Sequence, residues 1–522
     1  MKKYRNFAAS TVAVLSVAIA ASSLLLPALN SNAEPDHSAD SPRSRNHVRY
    51  DLDADQFIVT FNKMATVDEK HRMDVINEIT SEFKSKGSYT RQMFDGSYVV
   101  KLDPPVPARD VPSLKGKLES KAEINVAEID QIQKNSATPS DSDFGRQWSF
   151  THEHGSHIPP AWDAGARGQN QVIAVVDTGI TPHPDLEGKI LPGYDMISED
   201  QASRDRDPGR DANPNDEGDW TRPGMCRADD NGGPSSWHGT HVAGIAAANT
   251  DNGQGVAGVA PDARILPVRA LGACGGRLSD IVDGIAWSAG KHIDGVPDNP
   301  NKANVINLSL GGDAPRCSAP YQRAIDFANE QGATVAVAAG NDNTDTSYTQ
   351  PANCKGVMVV GATGPEGHRA NYSNYGDAVD FGAPGGNHLP RGRHGGVVNE
   401  EAGIWSTVNK GETGQTEPGY RYLDGTSMAT PLVAGVIALI KSAKPGITNP
   451  EIEKILRNTA SPYTQEPDDN YGNSSSKTHQ LGAGIVNARA AVCAAQGRNE
   501  HECGGAEEPR EPAPGDEARS RR

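Results

Sequence analysis

A tight turn running straight into a long apolar stretch constrains this chain more than any other feature. It reads Asp424-Gly425-Thr426-Ser427-Met428-Ala429-Thr430-Pro431 and continues as an apolar run from Leu432 to Ile440. The small residues Gly425 and Ala429 permit a sharp turn, and a helix opening at Thr426-Ser427 projects one hydroxyl at its N-terminus. Amide groups of a first helical turn lack intrahelical partners and favour developing negative charge, while Pro431 is tolerated only near a helix start. Such a serine is placed to act as a nucleophile. Taken alone, the same residues also fit a helix with a plain Ser/Thr cap, so groups elsewhere in the chain must decide.

Two further stretches supply those groups. Gln171-Val172-Ile173-Ala174-Val175-Val176 is a continuous apolar run of the kind that forms a buried parallel strand, and it ends in Asp177-Thr178-Gly179. An acid there sits where open α/β sheets place their chemistry. Trp237-His238-Gly239-Thr240-His241, leading into Val242 to Ala248, starts an alanine-rich helix with His238 in its first turn. Further runs at 264–269, 303–310, 333–338 and 357–361 read as strands, and 279–289, 320–331 and 428–442 as helices. Their alternation predicts an α/β fold, a doubly wound and mainly parallel sheet with helices on both faces.

The motifs Asp177-Thr178-Gly179, His238-Gly239-Thr240-His241 and Gly425 to Pro431 together resemble the three signatures of the subtilisin-like serine peptidases, in that family's order of acid, base and nucleophile. The resemblance runs from about residue 140 to about residue 492. It implies catalytic roles for Asp177, His238 and Ser427. A neutral serine hydroxyl is a weak nucleophile, so Ser427 needs His238 as general base, with Asp177 holding the imidazole in the useful tautomer. Ala338-Ala339-Gly340-Asn341 matches the family's oxyanion motif and implies Asn341 as a side-chain donor beside the Ser427 backbone N–H. Ser309-Leu310-Gly311-Gly312 matches the substrate-binding strand, which pairs with an extended peptide. The far wall of the primary pocket is expected from Ala338 to Asn341, including Gly340, and from about Thr349 to Ala352, with Asp342 and Thr349 making it less apolar.

The resemblance also implies calcium. The loop 248–256 is similar to the family's tight site, with Asp141 and Asp185 as carboxylate ligands, Asn252 as a side-chain oxygen and Asn249, Gln254 and Val256 as backbone oxygens. Calcium takes six to eight such hard ligands. A second candidate is the acidic insertion from about Glu199 to Asp230, where Asp211, Asp216 and Asp219 are picked out. Its carboxylates need compensation either from a cation or from Arg204, Arg206 and Arg210.

The rest of the chain frames this centre. Met1 to Ala33 has a basic start, an apolar stretch from Phe7 to Leu29 and a small-residue exit, and reads as a secretory signal peptide; a membrane anchor is the competing reading. No later segment reads as long and apolar enough to cross a bilayer. Residues 34–54 form a polar spacer. Residues 55–135 carry strand patterns at 56–61, 97–102 and 124–130 and helical spacing at 64–83 and 111–118, a small α+β unit. Placed before such a domain, this unit resembles the family's prosegment, which aids folding and inhibits transiently. A sheet of strands distant in sequence folds slowly, and a preformed surface can template it. Its tail, Gln131 to Ser136, would lie in the active site as a product, with self-cleavage expected within 133–138. The catalytic domain is expected over 136–492, and residues 493–522 as a disulfide loop and a Pro/Glu/Arg-rich tail.

Net charge is -17, which argues against nucleic acid as a partner. Six cysteines suit an exported chain with disulfides, and fifteen pairings are possible. The family's layout favours Cys226 with Cys274, Cys317 with Cys354 and Cys493 with Cys503. The reading that results is a secreted, self-processing, calcium-stabilised monomer that hydrolyses proteins with broad specificity. A selective processing protease and an inactive binding scaffold are its alternatives.

Overall fold

The computed structural model describes residues 54–62, 68–130, 138–204, 209–388, 399–464 and 481–498. The expected signal peptide, nearly all of the spacer, the prosegment tail at 131–136, the C-terminal tail and Cys503 lie outside the described residues.

The N-terminal unit contains β1 (Ala54–Phe61), α1 (Glu69–Thr80), β2 (Lys86–Gln92), β3 (Tyr98–Val106), α2 (Val111–Glu119) and β4 (Ile124–Ile129). The strands form an antiparallel sheet in the order β2-β3-β1-β4. Phe57, Val59, Val100 and Leu102 pack against Ile76, Ile79, Leu114 and Leu118, so alternate strand residues meet the apolar stripes of both helices.

The following unit opens with two short helices, α3 (Trp148–Thr151) and α4 (Ile158–Asp163), and then β5 (Val172–Asp177), β6 (Tyr194–Asp195), α5 (Asp200–Ser203) and α6 (His238–Ala247). It continues with β7 (Arg264–Arg269), α7 (Leu278–Ser288), β8 (Val305–Leu308), β9 (Gly312–Asp313), α8 (Ala319–Glu330), β10 (Thr334–Ala338), β11 (Thr349–Gln350), β12 (Met358–Thr363) and β13 (Phe381–Pro384). The hairpin β14 (Ile404–Asn409) and β15 (Pro418–Leu423) precedes α9 (Thr426–Ala443), α10 (Asn449–Thr459) and α11 (Ala488–Ala495).

Among the described residues, seven strands form one sheet in the order β13-β12-β10-β8-β5-β7-β6, and the neighbouring pairs are parallel. The expected doubly wound sheet is therefore present. From β5 the chain runs out to β6 at the edge, returns to β7 between the two, and then crosses to β8 on the other side of β5. That reversal of order leaves a crevice at the carboxyl ends of β5 and β8, where such sheets bind ligands. One layer of core, around α6 and α9, covers one face; a second, around α7 and α8, covers the other.

α9 is the spine of the first layer: Leu432, Val433, Val436, Ile437, Leu439 and Ile440 are fully buried. Contrary to expectation, this helix is long and apolar enough by composition to cross a membrane, with mean hydropathy 1.4 over 18 residues, yet 83% of it is buried inside the protein. It is a core helix. The final helix runs to Ala495, past the boundary expected at 492, and Ala491, Val492 and Cys493 are buried in it. Disulfides join Cys226 to Cys274 and Cys317 to Cys354, with Cα separations of 5.4 and 4.9 Å.

Candidate active site

Asp177 is the last residue of β5 and is fully buried. Its Oδ1 accepts from the Thr178 backbone N–H at 2.7 Å and from His238 Nδ1 at 2.7 Å. The imidazole is held from behind as well. Trp237 adopts a left-handed backbone (φ 54°), and its buried indole donates to the Gly411 carbonyl at 2.7 Å, which fixes where α6 starts. Gly239 lets α6 approach, because a Cβ at that position would stand 2.2 Å from the Gly179 carbonyl oxygen.

Burial by itself would lower the pKa of His238. The charge of Asp177 and its hydrogen bond outweigh that, with further help from Asp219 and Asp216, and the imidazole is lifted above its ordinary value. Asp216 is buried one layer back. It accepts from Thr178 Oγ1 at 2.6 Å and from the Gly218 N–H at 2.9 Å, while Thr178 Oγ1 accepts from Gly239 N at 2.9 Å. Burial raises the Asp216 carboxyl to about 7, opposed by the Thr178 bond.

Ser427 is the second residue of α9. Four residues on, Pro431 has no N–H to close the helical bond to the Ser427 carbonyl. Ser309 takes that place, its hydroxyl donating to the Ser427 carbonyl at 2.8 Å. In return the Ser427 hydroxyl donates to the Ser309 carbonyl at 3.2 Å. Ser427 is thereby clamped to the end of β8, next to the strand that carries Asp177. Its hydroxyl is bonded to Ser309 and not to His238.

Asn341 follows the end of β10. Its Oδ1 accepts from both the Thr426 N–H and the Thr426 hydroxyl at 2.9 Å, which orients the amide so that Nδ2 is the free donor. Gly340 is required beside it: φ is +105°, and a Cβ would meet Asn374 Nδ2 at 2.3 Å. Thr426 and Asn341 thus hold each other, and the Ser427 N–H stands at the helix start with no intrahelical partner.

Two cavities flank the segment Ser309 to Gly312. One, of about 220 Å³, is lined by Leu310, Gly311, Gly312, Asp313, Ala338, Gly340, Asn341, Asp342, Thr349, Thr426 and Ser427. Of the expected wall it contains Ala338, Gly340, Asn341, Asp342 and Thr349, but not Ala339 or residues 350–352. Sequence reasoning missed Asn374, which is fully buried and donates to the Ala339 carbonyl and Thr349 Oγ1 while accepting from Asp342 N. The second cavity, of about 440 Å³, contains His238, Ser309 and Leu310 with Thr178, Asp219, Ser236, Leu271, Leu278, Ile281 and Tyr321.

The expected calcium loop folds onto two buried carboxylates. Asp141 accepts from the N–H groups of Asp251 and Asn252 at 2.9 and 3.4 Å. Asp185 accepts from Asn252 Nδ2, Val256 N and the Tyr420 hydroxyl at 2.9 to 3.0 Å. Asn249 N donates to the Asp185 carbonyl and Gln254 N to Asn252 Oδ1. Burial raises the Asp141 carboxyl, and the charge of Asp251 adds to that. The buried carboxylates of Asp141 and Asp185, folded against one loop, are hard oxygen donors of the kind that calcium takes, whereas the Asn252 amide turns its Nδ2 to Asp185 and its oxygen to Gln254 N.

The second metal candidate is arranged differently. Asp211 caps Asn213, Asp216 bonds Thr178, and Asp219 accepts from Ser236 N and Oγ at 2.6 and 2.7 Å, so the three carboxylates take separate partners. Arg210 pairs with Asp280 and Asp283 on α7 and does not serve the insertion's own acids. Arg206 lies outside the described residues.

Acid, imidazole and alcohol thus stand in the chain order Asp177, His238, Ser427 at the rim of a doubly wound sheet, beside a pocket that also contains Asn341. The chain belongs to the subtilase family, whose model matches residues 168–484. It is 44% identical over 407 residues to an extracellular protease of Xanthomonas campestris pv. campestris, covering 78% of this chain and 65% of that protein. It is also 44% identical over 392 residues to an extracellular basic protease of Dichelobacter nodosus, covering 73% of this chain and 60% of that one. The chain thus spans less than two thirds of either relative. A solved protease from Pseudoalteromonas arctica is 46% identical, with TM-score 0.63, and covers 69% of this chain and 100% of its own.

Proposed function

We propose that this protein is a secreted serine endopeptidase that processes itself and hydrolyses peptide bonds of protein substrates through Ser427, His238 and Asp177. The observation that carries the reading is the 2.7 Å bond from His238 Nδ1 to the buried Asp177 carboxylate, beside a serine clamped at a helix start. Secretion is supported by the extracellular naming of the relatives and by the two disulfides.

An extended peptide pairs its main chain with Ser309 to Gly312. Rotation about the Cα–Cβ bond of Ser427 transfers its hydroxyl from the Ser309 carbonyl to His238 Nε2. Oγ then attacks the scissile carbonyl carbon as its proton passes to Nε2, and Asp177 stabilises the imidazolium. Negative charge on the carbonyl oxygen is met by Asn341 Nδ2 and the Ser427 N–H. Collapse breaks the C–N bond, and the Nε2 proton goes to the departing amine. Water, deprotonated by His238, then cleaves the acyl ester and restores Ser427.

The N-terminal α+β unit is assigned as prosegment and transient inhibitor. Calcium is assigned a structural role at Asp141, Asp185 and the loop 249–256, where it would neutralise two buried carboxylates. The test is expression of the full chain as wild type and as Ser427→Ala. Wild type is expected to release the N-terminal unit and degrade casein, while the variant stays full length in the absence of added protease. Loss of the unit from the purified variant refutes self-processing, and intact casein with the wild type refutes the endopeptidase.

A further inference from the structure

Resting on the endopeptidase reading, the next question is what the larger cavity accepts. It shares Leu310, Gly311 and Gly312 with the pocket that holds Ser427 and Asn341, but it contains His238 and Asp219, which that pocket does not. Successive side chains of an extended peptide point to opposite faces. If the residue carrying the scissile carbonyl fills the smaller pocket, the residue before it turns toward the larger one.

The larger cavity combines apolar walls with the uncharged polar side chains of Thr178, Ser236, Ser309 and Gln350, beside His238. Leu271, Leu278, Ile281, Leu310 and Tyr321 line it, and Asp219 is its one carboxylate; no lysine or arginine is among the lining residues. Asp219 is half-buried, and Ser236, two residues before His238, fixes it through backbone N–H and hydroxyl. Those bonds use two of its roughly four acceptor sites. Among the described residues no cation is ion-paired with it. Arg204 is close enough for its charge to act on that of Asp219, but it stacks on Trp220 with its guanidinium carbon 4.1 Å from the ring centroid and donates to the carbonyls of Gly218 and Trp220. The adjoining pocket repeats the sign, with Asp313 and Asp342 in its lining and again no lysine or arginine.

We propose that Asp219 makes this subsite select a lysine or arginine at the substrate position immediately before the scissile residue. The aliphatic walls cover the methylene stem while the ammonium or guanidinium reaches the fixed carboxylate, the division of labour that long cationic side chains favour. An acidic side chain at the same position meets Asp219 as a like charge. Asp219 acts on the substrate and, through its field, on His238, so the test must separate the two.

Three internally quenched peptides, identical except for Lys, Leu or Glu at that position, are hydrolysed by the mature wild type and by Asp219→Asn at a pH on the activity plateau of both. The wild type is expected to favour Lys over Glu by about tenfold in kcat/KM, the scale of a partly exposed charge pair, with the ratio shrinking as salt rises. In Asp219→Asn the ratio falls toward one, while any effect on His238 cancels because it is common to all three peptides. Cleavage by the wild type with no Lys preference, or a preference unchanged in the variant, overturns the assignment while leaving the endopeptidase intact. Failure of the wild type to cut any of the three overturns both.

Discussion

The mutual grip of Asn341 and Thr426 permits a separation of chemistry from stability at one position. Asn341 Oδ1 receives two hydrogen bonds from Thr426, a fully buried residue in the first turn of α9, which leaves Nδ2 as the donor proposed for the substrate oxyanion. Asn341→Leu removes both functions. Loss of the oxyanion donor costs about a hundredfold to a thousandfold in kcat, a scale known from a subtilisin. Loss of the acceptor leaves the Thr426 N–H and hydroxyl unsatisfied at about 1–3 kcal/mol each, so the melting temperature should fall by several degrees. Asn341→Asp keeps an oxygen facing Thr426 and turns the donor into an acceptor of like charge to the oxyanion. Its kcat should fall at least as far as that of the Leu variant, with a melting temperature close to wild type. Turnover of a fluorogenic peptide at saturating substrate and calorimetry on the same preparations read the two effects. An Asp variant within about threefold of wild-type kcat refutes the oxyanion assignment, because the charge reversal there should be worth well over that factor.

Two further outcomes follow from the ionised groups. Activity requires neutral His238, and Asp177 raises its pKa, so the acid limb of kcat/KM should lie above the ordinary imidazole value of about 6.5. Asp177→Asn should move that limb down and cost about ten-thousandfold in kcat; a limb unmoved in the variant would contradict the assignment of His238 as base. Removing calcium with a chelator should lower the melting temperature, with recovery on adding the ion back. At a hundredfold excess over the dissociation constant the ion contributes about 2.7 kcal/mol. Unchanged melting in the chelator, measured by calorimetry, would count against the Asp141 and Asp185 site.

What could be read from the sequence follows from how each part is buried. The central strands are covered on both faces, so they appear as unbroken runs such as Val172 to Val176 and Thr334 to Ala338, and the helices between them keep their spacing. The hairpin at 404–423 was not legible. Its first strand is almost wholly buried although half of it is polar (Ser406, Thr407 and Asn409), its second is mostly half-buried, and it is fixed by contacts such as His241 Nε2 to the Ile404 and Arg421 carbonyls. Asp177, His238 and Ser427 were legible because each sits in a tight glycine-containing motif. Asp219 was visible only as one acid among many in a loop, and its orientation depends on Ser236, 17 positions away. Ser309 was seen as a strand end, but its bond to the Ser427 carbonyl could be understood only once Pro431 was known to leave that carbonyl without its helical donor.

The serine stands on the helix that the rest of the interior is packed around, and this has a consequence for a molecule reading itself as substrate. Loosening that would open a surface loop of one copy to attack by another leaves α9 in place, but any disruption deep enough to free the central strands also unseats Ser427 from Ser309 and from Asn341. On the proposed endopeptidase reading, a copy damaged in its interior would lose the setting of its nucleophile as it became digestible.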